Sequence, residues 1–171
     1  MNPHIRLIEP KDNKQIEEVI IAVSKEYGTF EPGYGSHDPE LKDLYSAYKD
    51  KGSKYWIIED LDIHKVLGGG GYTKLRGSKE EEKICEMQKL FFLPETRRKG
   101  LGKKLVEMIL EEATKDGYKE MYLESVKSMK EAKKLYEKYG FEELDKPIGC
   151  TGHGHKCTVF MKRKLDKKVK V

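Results

Sequence analysis

Two periods of apolar residue run through this chain, one of about two and one of about 3.6, and they divide it into strands and helices. Ile5 and Leu7, with polar neighbours, predict a short first strand. Ile16, Val19, Ile20 and Val23 then mark one face of a helix, and Asp12 with Gln15 is spaced as a capping box at its start. Residues 27–38, YGTFEPGYGSHD, hold three glycines, a proline and three aromatics and predict a loop. Asp38 and Pro39 read as the N-cap and first residue of a second short helix, with Leu41, Leu44, Tyr45 and Tyr48 on its apolar face. Strands are expected at 55–59 and 66–72, followed by a polar hairpin at 76–82 and a long strand at 83–93. Val106, Ile109, Leu110 and Ala113 give the next helix, which stops near Asp116 and Gly117. A strand at 119–125 precedes a helix that carries Ala132, Leu135, Tyr136 and Tyr139 on one side, with Ser128 and Glu131 as its capping box. Strands at 141–144 and 157–161 flank a loop rich in glycine, cysteine and histidine. The order β-α-α-β-β-β-α-β-α-β-β predicts a mixed α/β sheet without repeats.

Composition narrows the class. The 171 residues suit one domain, expected over 1–165, with a basic tail at 166–171. Hydrophobic and charged residues each make up 37%, so a charged surface surrounds a modest core. No apolar run reaches membrane-spanning length and the N-terminus lacks a secretory apolar region. The three cysteines make no disulfide framework, which points to a reducing cytoplasm. A net charge of +4 with 30 acidic residues argues against a nucleic-acid partner.

Leu90 to Leu105, LFFLPETRRKGLGKKL, reads as strand, turn and helix start. A glycine-rich turn feeding a helix N-terminus is an anion site, because free N–H groups and the macrodipole face outward there. Arg97, Arg98 and Lys99 beside it fit a diphosphate better than a lone carboxylate. The P-loop and dinucleotide-binding glycine patterns are both absent.

The pattern that is present, Arg97-Arg98-Lys99-Gly100-Leu101-Gly102, resembles the Q/R-x-x-G-x-G/A signature of the GNAT superfamily, the acetyl-CoA-dependent N-acetyltransferases. A second match, Ala132-x-x-Leu135-Tyr136-x-x-x-Gly140-Phe141, resembles the family's A-x-x-L-Y-x-x-x-G-F, although Met129 stands where the family has asparagine. The element order matches as well. The resemblance implies the GNAT fold, a mixed, mostly antiparallel central sheet with helices on both faces, and acetyl transfer from acetyl-CoA to a primary amine. It implies that Arg97, Arg98, Lys99, Gly100, Leu101, Gly102 and Lys103 cradle the pyrophosphate, and that the backbone at Phe92 bonds the pantetheine amides. It also implies that Tyr136 reaches the coenzyme sulfur.

Glu86 is the candidate base. A glutamate in mid-strand in a sheet covered on both faces is seldom idle, and it stands where several GNAT enzymes carry a catalytic glutamate. Period two sets Glu86, Gln88, Leu90 and Phe92 on one face of the strand and Cys85, Met87, Lys89 and Phe91 on the other. Tyr34, His37, His153 and His155, on glycine-rich loops, are candidates for acceptor contact. Cys150, His153, His155 and Cys157 crowd one segment, unlike structural zinc sites that draw ligand pairs from two, so no metal is expected. The run of glycines at 68–71 sits inside a strand, where glycine marks a bulge or a close approach and leaves room for the acceptor. The expected activity is direct transfer to a small primary amine or amino acid, in a monomer or homodimer. The alternatives are a protein lysine or N-terminal acetyltransferase and a non-catalytic acyl-CoA-binding module.

Overall fold

The computed structural model describes residues 1–166, and the basic tail lies outside them from residue 167 on. Strand β1 (Pro3–Leu7) leads to helix α1 (Asn13–Glu26) and, after a loop of short 3-10 turns, to α2 (Leu44–Ala47). Strands β2 (Lys54–Asp60), β3 (Lys65–Lys74) and β4 (Ile84–Phe92) form a meander, followed by α3 (Leu101–Lys115), β5 (Glu120–Ser125), α4 (Lys130–Lys138), β6 (Glu142–Leu144) and β7 (Val159–Lys164). The sheet order is β1-β2-β3-β4-β5-β7-β6, and only β4 and β5 pair in parallel. This is the mixed, mostly antiparallel sheet that the resemblance implies.

Each helix buries the stripe that its periodicity marked. Ile16, Val19, Ile20 and Val23 of α1 pack with Leu41 and Leu44 against Tyr55, Ile57 and Val66 on one face of the sheet. Leu105, Val106, Ile109, Leu110 and Ala113 of α3 join Tyr136 of α4 and Tyr139 at its C-cap on the other, against Trp56, Ile58, Leu67, Cys85 and Met87. Burying such side chains contributes about 1.5–3 kcal/mol each, the main force that holds the layers together.

The capping residues do other work than their spacing suggested. Asp12 accepts two hydrogen bonds from Arg6, at 2.8 and 2.9 Å, and closes a box one turn earlier on the Glu9 N–H. Gln15 accepts the Val66 N–H at 2.9 Å, tying α1 to β3. Ser128 donates to Tyr27 O at 3.0 Å, and Met129 stands at the N-cap of α4. Asp38 precedes its 3-10 turn as expected, but its side chain makes no cap bond. The last strand starts at Val159 and not at residue 157, where the Cys157 N–H bonds His153 O at 2.9 Å.

The largest departure lies in β4. Gly71 faces Gln88 and Gly69 faces Phe91, so one residue of β3 opposes two of β4, Lys89 and Leu90. This is a β-bulge, with Lys89 at φ 50°. The extra residue resets the alternation. Cys85 and Met87 face α3, and so do Leu90 and Phe92. Glu86 and Gln88 therefore do not share a face with Leu90 and Phe92, as period two alone required.

The glycines of β3 make the neighbouring packing possible. A Cβ on Gly70 would lie 2.4 Å from Leu90 Cδ1, and one on Gly69 2.7 Å from the Tyr55 ring. The space beside them is filled by this protein's own side chains and is not left to an acceptor. Gly71→Ala would put a methyl 2.2 Å from Lys54 O, a backbone atom that cannot turn away. The expected cost is about 1–3 kcal/mol of stability, read as a lower urea midpoint. An unchanged midpoint would show that the two strands separate freely there.

Candidate active site

The pairing of β4 with β5 stops at Glu86 and Tyr122, while β5 stays paired with β7 as far as Ser125. The bulge at Lys89 turns the rest of β4 away, and a notch opens between the two strands. Its walls are Met87 to Phe91 on one side and Leu123 to Val126 on the other, with Met129 and Tyr136 of the α4 segment. Past Glu86 the β5-facing edge of β4 has no strand partner. Such an edge accepts an extended chain that carries amides.

Glu86 lines this notch and also a second, wider groove between β4, the segment at 38–48 that holds α2, and the loop at 151–153. The two spaces meet at Glu86, Gln88 and His153. Only 5% of the Glu86 surface is exposed. Burial, aided by the nearby Glu124 carboxylate, pushes its pKa up to about 7. A carboxyl tuned so near neutrality is suited to proton transfer.

Tyr136 lies across the notch, its ring against Phe141 at 5.9 Å between centroids. Its hydroxyl has no hydrogen-bond partner among the described residues. Burial raises its pKa well above that of a free phenol, so it stays protonated and can donate. Met129, in place of the family's asparagine, presents a thioether to the same cavity, where Ser125 Oγ lies 3.8 Å from its sulfur.

Three segments converge on Asp38. Its Oδ2 accepts from Lys89 Nζ at 2.7 Å, and its Oδ1 lies 2.7 Å from His153 Nε2. Glu40 also holds Lys89, at 3.0 Å. Burial opposes the charge on Lys89, but Asp38 and Glu40 outweigh it and raise its pKa. Asp38 likewise raises the pKa of His153. Neither Asp38 nor Lys89 stood out in the sequence: Asp38 read as a helix cap, and Lys89 as one residue of an alternating strand. The signal present was a lysine inside an otherwise apolar strand end.

The four acceptor candidates separate. Tyr34 and His153 line the notch. His37 is exposed, with its ring 4.9 Å from Phe30, and His155 is exposed beside Gly33; neither is among the lining residues. Cys157 also lines the notch, and burial pushes its thiol up to about 12, far from a reactive thiolate. Among the described residues, no group of three or more His, Cys, Asp and Glu side chains could hold a metal ion. No helix among them is long and apolar enough to cross a membrane.

Below the notch, Arg98 and Gly100 adopt left-handed conformations, at φ 61° and 75°, and α3 starts at Leu101. Backbone of this hand at a helix N-terminus forms a concavity of N–H groups suited to phosphate. The space around Gly100 is open to 4 Å. The Arg97 guanidinium is already engaged, by Glu26 at 2.6 and 2.7 Å and by Phe92 O at 2.9 and 3.1 Å. It braces the turn from within, and it stacks near the Tyr27 ring at 5.4 Å.

Comparison with known proteins agrees with this geometry. Residues 9–141 match the model of the acetyltransferase (GNAT) family. The chain is 47% identical over 165 residues, 96% of each protein, to YjgM of Escherichia coli K12, named an uncharacterized N-acetyltransferase. A GNAT-family acetyltransferase of Staphylococcus aureus superposes with a TM-score of 0.81 at 18% identity, over 96% of this chain and 99% of that one. The protein yncA of Salmonella typhimurium, solved with its cofactor acetyl-CoA, superposes with a TM-score of 0.74 at 21% identity, over 100% and 98%. With a family model spanning most of its length and a relative this similar from end to end, the chain belongs to the GNAT family of acetyltransferases.

Proposed function

We propose that this acetyltransferase moves the acetyl group of acetyl-CoA directly to a small primary amine or amino acid, with both substrates bound together. One observation carries the reading: a buried carboxyl near neutrality and a phenol without a hydrogen-bond partner among the described residues line the same cavity, at the point where β4 and β5 part. Acetyl-CoA supplies an activated thioester. The unpaired edge of β4 suits the amides of its pantetheine arm, including those expected to meet the backbone at Phe92. The turn from Arg97 to Lys103 suits its pyrophosphate through backbone N–H groups, Arg98, Lys99 and Lys103, with Arg97 holding the turn in shape.

An amine of pKa near ~10 is mostly protonated at neutral pH and must lose a proton to attack. Glu86 accepts that proton, directly or through water, from the groove side of the junction. Tyr136 donates to the sulfur as negative charge develops on it. His153 borders the groove that takes the acceptor, and Tyr34 lines the notch that joins it. Cys157, the thiol that lines the notch, does not serve as a relay, since burial keeps it protonated.

Glu86→Gln should lower kcat/KM by about 10²–10⁴-fold and abolish the ascent of activity through about pH 7. An unchanged pH profile would demote Glu86 to a structural carboxyl. Tyr136→Phe should lower kcat with acetyl-CoA affinity intact, and a donor with a better leaving thiol should recover the rate. Equal loss with every donor would remove the proton-donor role. Gly100→Val should raise the acetyl-CoA Kd, since a β-branched residue resists φ 75°; an unchanged Kd in calorimetry would refute the cradle.

Stability gives a readout independent of activity. The folded-state pKa of Glu86 lies above the ordinary 4.5, so the folded chain holds this proton more tightly than the unfolded one. That contribution is full below the unfolded value and is lost as pH rises through about 7. Glu86→Gln cannot ionise. Its stability relative to wild type, read from the shift in Tm, should therefore climb between about pH 5 and pH 8, towards a ceiling of roughly 3 kcal/mol. A constant difference in Tm across that range would show that Glu86 titrates as it does in water.

A further inference from the structure

We propose that the acceptor carries a carboxylate as well as its amine, and that Arg76 receives this carboxylate in the groove that leads to Glu86. This deepens the reading above and rests on Glu86 as the group that meets the amine.

The argument is a charge count around the groove. Besides the phenol of Tyr48, which burial keeps neutral, its ionisable lining is Asp38, Glu40, Lys74, Arg76, Glu86 and His153. Four of these six are already matched. Asp38 holds Lys89 and His153, each at 2.7 Å, Glu40 holds Lys89 at 3.0 Å, and Lys74 is paired with Glu80. Arg76 and Glu86 remain, neither with an ion-pair partner among the described residues. The wall thus offers one unmatched guanidinium and one unmatched carboxyl, the complement of an amine and a carboxylate on one small molecule.

Arg76 is also held in a fixed pose. Its Nε donates to Cys150 O at 2.8 Å and its Nη2 lies 3.4 Å from Thr151 O. Its own carbonyl accepts the Cys150 N–H at 2.7 Å. These carbonyls orient the guanidinium but do not neutralise it, and Nη1 bonds to nothing among the described residues. A planar guanidinium with free donors suits a carboxylate in two-point contact. Thr73, on the strand that runs into Arg76, sits directly opposite Glu86. The two backbones are therefore separated by three residues of chain, roughly 10 Å, within the span of a small amino acid and two side chains. A diamine would instead bring a second cation against Arg76, so the same residue disfavours polyamines.

The test is thiol release from acetyl-CoA with matched acceptors: amino acids, their amides and the corresponding decarboxylated amines, compared at equal free-amine concentration. Wild type should favour the carboxylate-bearing member of each set by about 10- to 100-fold in kcat/KM. Arg76→Gln can still donate to Cys150 O but carries no charge. It should bring that preference close to unity, chiefly through KM, with acetyl-CoA Kd and Tm unchanged. Arg76→Lys should keep part of the preference. Equal use of all three acceptor types by wild type would overturn the proposal and leave amine acetylation standing. So would an Arg76→Gln variant that lost activity equally with each type, since Arg76 would then only hold the loop. Release with no amine at all would overturn the role of Glu86 and this proposal together.

Discussion

One extra residue in β4 governs the rest of this molecule. A regular β4 would pair with β5 along its length, and the sheet would be closed where it is now parted. The bulge at Lys89 ends that pairing after Glu86 and opens the notch. Left-handed backbone at a lysine costs of order 1 kcal/mol or more, so it persists only where its surroundings hold it. Here Tyr55 donates its hydroxyl to Lys89 O at 2.8 Å, and Asp38 and Glu40 bind the ammonium. Glycines at 69 and 71 admit the Tyr55 ring, and Gly70 admits Leu90. The glycine run of β3 is therefore the counterpart of the bulge in β4.

The same few contacts gather the loops around the notch. Asp38 joins the α1–α2 loop to β4 through Lys89 and to the last loop through His153. The end of α1 is fastened on the other side, with Glu26 to Arg97 and Tyr27 O to Ser128. Tyr48 reaches Gln88 at 2.6 Å, beside Glu86. Each of these links ties a loop or a helix end to the sheet or to another loop, so the site's walls come from segments far apart in sequence. A buried ion cluster of this kind adds less stability than its short distances suggest, because desolvation offsets most of the attraction. What it does supply is one geometry for the loops.

The layout also separates the duties of the two carboxylates that face the site. Glu124 is held by the Tyr122 and Thr151 hydroxyls. Glu86, without an ion-pair partner among the described residues and nearly buried, holds a proton up to about pH 7, and the charge of Glu124 contributes to that. Two carboxylates in one cavity thus meet different surroundings: hydroxyls hold Glu124, while burial keeps the proton on Glu86.

The sequence by itself determined the element order, the buried stripes of the helices and the strand–turn–helix around Gly100, because these depend on periodicity and on residues with special backbone freedom. It also marked Glu86 and Tyr136, since a carboxylate in mid-strand and a motif tyrosine are visible as single letters. Only the tertiary structure decided which face each half of β4 presents. A bulge has no one-letter signature: Lys89 adopts a positive φ because Tyr55, Asp38 and Glu40 hold it there, and those residues lie 34, 51 and 49 positions away. Gln15 and Ser128 are spaced as capping partners, but Val66 and Tyr27, brought near by folding, bind them instead. Asp12 does stand at the N-cap of α1, while its side chain bonds Arg6 and the Glu9 N–H and not the helix. Local propensity fixed the pieces, and long-range hydrogen bonds and ion pairs, which no window of sequence contains, fixed the site.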